Sequence, residues 1–223
     1  MAASLAREGD VHLIDLGDGE NRLDREALRR LHGLLDEVES ASPPRALATV
    51  ARGKFWCNGF DQDWMAANPG QVDDLLQDFR DLLARLVTLP VPTVAGLQGH
   101  AFAAGAMLAL AHDFRVIRDD RGYFCLPEID LRRALSPGSI ALLQAKVPPP
   151  VVPELLIAGR RYGGADAVNA GLAVATASAD ELGSTVVELA ATLASKDPPT
   201  LATVKQRAYG SVVERLRGED PSS

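Results

Sequence analysis

Apolar and polar positions alternate over residues 11–18, VHLIDLGD, which predicts a strand that ends in a turn at Gly17 and Gly19. The period then changes. Leu28, Leu31, Leu34, Leu35 and Val38 recur at helical spacing, predicting a helix from an Asp24 N-cap to about Ser40. Pro43-Pro44 stops that helix, and ALATVA over residues 46–51 reads as a buried strand. Residues 52–59, bounded by glycines and rich in aromatics, read as a loop. A second amphipathic helix is predicted over residues 72–89, where Pro90 and Pro92 break it. TVAGLQG, residues 93–99, reads as a short buried strand running into the small-residue stretch HAFAAGAMLALAHD, a turn that feeds a tightly packed helix. FRVIRD, residues 114–119, is another strand. From Pro137 onward helices prevail, apart from a strand-like piece at residues 172–177 and before a last helix over residues 199–217.

Strand–helix units of similar length therefore alternate through about residue 120, and helices follow. That order predicts an α/β core with a helical C-terminal region. No composition shift or low-complexity linker divides the chain. We expect one domain over residues 1–223, with an α/β core over residues 1–136 and a mainly helical part over residues 137–223.

Composition narrows the functional classes. Thirty acidic residues against 23 basic give a formal net charge of −7, and no basic stripe of the kind nucleic acid requires is present. Two cysteines, Cys57 and Cys125, exclude a disulfide-dense scaffold and fit a reducing compartment. The four histidines show no metal-ligand spacing, so no metal site is expected. The longest nearly uncharged stretch, residues 86–111, is interrupted by Pro90, Pro92, Gln98 and His100, and its purely apolar part is too short for a bilayer. The first residues lack a signal-peptide pattern, and the terminal Pro221-Ser222-Ser223 is not a peroxisomal address. A cytoplasmic location without nucleic-acid or membrane partners is the expectation.

Chemistry concentrates in three segments: Gly53-Lys54-Phe55-Trp56-Cys57-Asn58-Gly59-Phe60-Asp61, then Gln98-Gly99-His100-Ala101-Phe102-Ala103-Ala104-Gly105-Ala106-Met107, then Phe124-Cys125-Leu126-Pro127-Glu128-Ile129-Asp130-Leu131. They resemble the F-x-x-G-x-D, N-G-x-x-x-G-G-G and F-x-x-P-E-x-x-L segments of the crotonase superfamily, the enoyl-CoA hydratases and isomerases. Residues 159–173, GRRYGGADAVNAGLA, resemble a later family segment. Order and spacing match from Asn21-Arg22-Leu23 to Lys205. The resemblance implies the crotonase fold, a spiral of repeated ββα units. It also implies an acyl-CoA thioester substrate that itself carries coenzyme A, with no further cofactor, and assembly as a homotrimer or hexamer through the helical C-terminal region.

Site residues carry over position by position. The backbone N–H groups of Phe60 and Ala104 would form an oxyanion hole, the small residues around Ala104 letting the backbone approach a ligand. Glu128 matches a catalytic carboxylate, and its apolar neighbours Leu126, Ile129 and Leu131 suit a base with a raised pKa. Lys54, Arg22 and Lys205 are candidates for the phosphates of coenzyme A. Asp61 matches a loop-bracing aspartate. The informative departure is Met107, which stands where hydratases of the family carry a second glutamate. Methionine cannot activate water, whereas a 1,3-proton shift needs one base, so the pattern resembles the Δ3,Δ2-enoyl-CoA isomerase branch, with Met107 lining a dry acyl pocket. Hydratase, thioester hydrolase and decarboxylase activities on the same fold remain alternatives, as does a non-catalytic acyl-CoA-binding protein.

Overall fold

A computed structural model describes residues 2–218. Met1 and residues 219–223, which include Pro221-Ser222-Ser223, lie outside the described residues. The chain starts with β1 (Ser4–Glu8) and β2 (Val11–Asp15), an antiparallel hairpin turning at Gly9-Asp10 with Gly9 at φ 59°. Helix α1 (Arg25–Ser40) follows, and the Asp24 carboxylate accepts from the Ala27 amide at 2.7 Å, as its N-cap spacing predicts. Next come β3 (Ala46–Val50), β4 (Phe55–Cys57), α2 (Gln62–Ala67) and α3 (Val72–Thr88). Then follow β5 (Thr93–Leu97), β6 (His100–Phe102), α4 (Ala104–Ala111), β7 (Phe114–Arg118) and β8 (Phe124–Cys125).

The first two strands both enter one sheet, and each later strand pair, β3–β4, β5–β6 and β7–β8, adds one strand to each of two sheets. The larger sheet has the order β1-β2-β3-β5-β7-β9, the last strand being Ala175–Ala177, parallel except at β1, and the smaller the order β4-β6-β8, all parallel. This is the expected spiral of ββα units. The remaining elements are α5 (Pro137–Lys146), α6 (Val152–Leu156), α7 (Gly164–Asn169), β9 (Ala175–Ala177), α8 (Leu182–Leu193) and α9 (Pro198–Arg217).

The elements β1, α2, β6 and β8 go beyond the sequence reading, and two further points concern the sheets. Residues 52–59 hold strand β4 rather than only a loop, because Phe55 and Cys57 pair with β6. The piece expected at residues 172–177 is β9, which joins the large sheet beside β7, so the helical region contributes to the core sheet.

Strand alternation divides the interior. Val11, Ala46, Ala48, Val94 and Val116 face α8, where Val186 packs so closely that a Cβ on Gly96 would stand 2.7 Å from it. The opposite residues of the sheet, including Ile14 and Leu47, face α1, α3 and α4 in the main core. Helix α4 is buried all round, Ala104 to Ala111 without exception, as its small apolar composition requires. No helix among the described residues is long and apolar enough to cross a membrane.

Candidate active site

Because β4, β6 and β8 run parallel, the loops that follow them emerge at one edge of the small sheet. Those loops carry Phe60, Ala104 and Glu128. Three segments separated by dozens of residues in sequence are thus brought together by strand direction alone.

Phe60 is oriented by pairing. The Leu23 amide donates to the Gly59 carbonyl at 2.8 Å and the Asp61 amide donates to the Leu23 carbonyl at 2.9 Å. A parallel bridge that uses the groups on either side of Phe60 turns the Phe60 N–H the other way. The Asp61 carboxylate accepts from the Trp64 amide at 2.9 Å and caps α2, which is the bracing role its motif position implies. The Phe60 ring meets Phe79 of α3 edge-on, with centroids 5.0 Å apart.

Ala104 is the first residue of α4, so its N–H has no carbonyl one turn earlier to bond. Ala103 before it has φ 52° and ψ −124°, a conformation an alanine adopts only when its surroundings impose it. They do: its amide donates to Cys125 of β8 at 3.1 Å, and its carbonyl accepts from Met107 at 3.1 Å. The loops touch closely here. A Cβ on Gly59 would lie 3.2 Å from the Ala103 Cβ and 3.5 Å from the Ala104 nitrogen, and one on Gly105 would lie 2.2 Å from the Cys57 carbonyl oxygen. The small residues seen in the sequence are what let these two backbones meet.

Glu128 follows β8 by three residues. Its Oε2 is buried and has no hydrogen-bond partner, and burial pushes its carboxyl above the usual carboxylate range, opposed only by its own backbone amide. Removing a carboxylate from water without compensating it favours the neutral acid and strengthens the ion as a base.

Of the remaining sequence candidates, Met107 lies in the main core, 1 % exposed. Arg22 pairs with Glu20, and that carboxylate also feels the field of Lys54, so Glu20 sits between both candidate phosphate ligands. Lys54 is exposed, its ammonium 5.2 Å from the centre of the Phe55 ring. Lys205 requires correction. It is only 4 % exposed and donates to Asp113 Oδ2 at 2.6 Å and to the Val91 carbonyl at 3.0 Å. Its side chain joins α9 to the core and is not offered to a ligand, because a buried ammonium needs a partner and Asp113 supplies it.

Other chemistry is damped. Burial pushes the Cys57 thiol up to about 12, and burial also raises Cys125, so neither is poised as a nucleophile. His100 lies on the outer face of the small sheet, stacked on Tyr123 with centroids 5.6 Å apart and in contact with Phe55 and Phe102. Among the described residues no group of three or more His, Cys, Asp or Glu side chains is placed to hold a metal ion. The sequence reading missed Asn21 beyond its place in a motif. Its signal was a short polar residue that tolerates positive φ, set between two turns, and here it has φ 51° and is 6 % exposed.

Comparison with known proteins agrees with this arrangement. Residues 7–217 match the model of the enoyl-CoA hydratase/isomerase family. The chain is 36 % identical over 206 residues to the peroxisomal enoyl-CoA delta isomerase 2 of Arabidopsis thaliana, covering 86 % of this chain and 85 % of that one. It is 34 % identical over 217 residues to enoyl-CoA delta isomerase 3 of the same plant, covering 92 % and 91 %. A crystal structure of a probable enoyl-CoA hydratase from Mycobacterium tuberculosis H37Rv superimposes with a TM-score of 0.90 at 22 % identity, over 96 % of this chain and 91 % of that one. The spiral of ββα units, the three loops at one sheet edge and these relatives place the chain in the enoyl-CoA hydratase/isomerase family, the crotonase superfamily, on its isomerase side.

Proposed function

We propose that the protein is a Δ3,Δ2-enoyl-CoA isomerase in which Glu128 is the sole base. The observation that carries this reading is the Glu128 carboxylate, whose Oε2 is buried without a hydrogen-bond partner, with Met107 where a hydratase would hold its second acid. Glu128 removes a C2 proton from a 3-enoyl-CoA, and the electron pair delocalises into a dienolate. Negative charge grows on the thioester oxygen, which accepts from the Phe60 and Ala104 amides. Each such donor contributes on the order of 10²–10³ in rate. The neutral Glu128 then returns the proton to C4, leaving the conjugated 2-enoyl thioester and the base as it began. Burial supports both halves, since it raises the affinity of the carboxylate for the proton it must carry. Met107, buried in the main core, offers no group that could activate water.

Lys54 and Arg22 are the cations we assign to the phosphates of coenzyme A, and the reaction uses no cofactor beyond that carried by the substrate. We further propose a homotrimer or hexamer built through residues 137–223 and a cytoplasmic location.

The test is incubation of pure protein with 3-hexenoyl-CoA, following the ultraviolet absorbance of the conjugated product. Turnover that Glu128→Gln abolishes is expected. Turnover that survives this substitution would remove Glu128 from its role. Rapid hydration of 2-hexenoyl-CoA would overturn the inference from Met107. Binding of the acyl-CoA without any turnover would leave only a binding protein.

A further inference from the structure

The segment Glu20-Asn21-Arg22-Leu23 lies along residues 55–61 and bonds to almost every one of them. Asn21 Nδ2 donates to the carbonyls of Phe55 at 3.3 Å and Trp56 at 3.1 Å, and also to Gly17 at 3.3 Å. The Cys57 thiol donates to the Asn21 carbonyl at 3.1 Å. The Asn58 amide donates to the Glu20 carbonyl at 2.9 Å, and Leu23 takes the Gly59 carbonyl and the Asp61 amide. Phe60 is the residue in this run whose backbone the segment passes over. Everything around it is tied down on one side, which leaves its amide aimed to the other.

We infer that Asn21 is a positioning residue for the first oxyanion donor: its side-chain amide fixes β4 against the Gly17 turn and thereby sets where the Phe60 N–H points. The inference rests on the assignment of Phe60 as a donor made above. Two features single out Asn21 within the segment. Its left-handed backbone turns the chain so that Glu20 and Leu23 both reach the same loop, and asparagine is among the few non-glycine residues that accept this conformation. Its buried Nδ2 also bridges three carbonyls that no other side-chain donor among the described residues reaches together; Gln98 shares only the Phe55 carbonyl, at 3.0 Å. Loss of these bonds frees β4 to shift, and a displacement of about 1 Å at a donor costs roughly 10²-fold in rate.

The distinguishing variants are Asn21→Gly, which keeps the backbone conformation and removes the bridge, and Asn21→Asp, which replaces two N–H donors by a charge facing three carbonyl oxygens. Two ligands separate positioning from general damage. Acetoacetyl-CoA binds as an enolate, seen by its ultraviolet absorbance, and so reports the two amides. Butanoyl-CoA forms no enolate and reports ordinary binding. For Asn21→Gly we expect enolate affinity and kcat to fall about 10- to 100-fold together, with butanoyl-CoA affinity and the acid limb of the pH–rate profile unchanged. Asn21→Asp should lose more. A folded Asn21→Gly with unchanged enolate binding overturns the inference. Equal losses for both ligands also overturn it, as does failure of both variants to fold, since Asn21 would then serve the fold alone. A wild type that binds the enolate yet does not isomerise 3-hexenoyl-CoA refutes the proposed activity and leaves the Asn21 comparison readable.

Discussion

Replacing Gly105 by alanine adds one methyl group at the point where the second loop crosses the first. That Cβ would lie 2.2 Å from the Cys57 carbonyl oxygen, 2.8 Å from the Cys57 carbonyl carbon and 2.8 Å from the Cys57 Cβ. Two of these neighbours are backbone atoms of β4, so no side chain can swing aside. Restoring ordinary contact requires α4 and β4 to part by about 1 Å, because the interior is packed too densely to absorb the methyl locally. Overpacking of this kind costs about 1–3 kcal/mol, or a fall in Tm of about 2–12 °C at 2–4 °C per kcal/mol for a chain of this size. The same movement separates the Ala104 amide from the Phe60 amide, and a misplacement of that size lowers kcat by roughly 10²-fold. Gly33→Ala is the matched control. Gly33 lies inside α1 with nothing within 4 Å of its Cβ position, so alanine there should stabilise by about 0.5–1 kcal/mol and leave turnover unchanged. Thermal unfolding and 3-hexenoyl-CoA isomerisation are measured on both. A Gly105→Ala protein as stable and as active as the wild type would refute the view that glycine is there for the approach of two backbones.

The same geometry fixes other outcomes. Glu128 holds its proton more tightly in the folded chain than in the unfolded one, so the folded state binds more protons and stability declines as pH rises from the ordinary carboxylate value towards the raised one. Glu128→Gln should therefore raise Tm at pH 7 but not at pH 4 while abolishing activity; a lower Tm at pH 7 would contradict the unpaired buried charge. In the wild type, activity should appear only as pH rises through that raised value, which a pH–rate profile reads directly. Lys205→Met breaks a buried ion pair and should cost about 3–5 kcal/mol in urea unfolding, with KM for acyl-CoA unchanged; an intact fold with raised KM would return Lys205 to the ligand. Glu20→Gln removes the carboxylate between Arg22 and Lys54 and should lower KM for acyl-CoA, the effect fading as salt screens it; no change would separate these two cations from the phosphates.

Much of this protein is legible in one dimension. The helices α1 and α3 are written in leucine spacing, in the Asp24 cap of α1 and in the prolines after each, because a surface helix must bury a stripe at its own period. The motif spacing carries the proposed base and the two proposed donor positions, because chemistry needs those residue types wherever the fold later puts them. Short strands were the hardest to see. β4, β6 and β8 contain three, three and two residues, too few for a period to show, and they exist because parallel partners align beside them. β1 is mostly exposed, so it lacks an apolar alternation and left only the Gly9-Asp10 turn as a trace.

Tertiary structure decided the partners. Lys205 reads as a candidate phosphate ligand until Asp113, 92 residues away, is found against it. Asn21 reads as a turn residue until three carbonyls converge on its amide. Sequence by itself determined the long helices, the longer buried strands and which residues have the right chemistry, since those depend on local period and on composition. Which side chains are spent on holding the molecule together, and which are left to meet a substrate, depends on burial and distance between segments remote in the chain, and only the folded arrangement of the two sheets sets those.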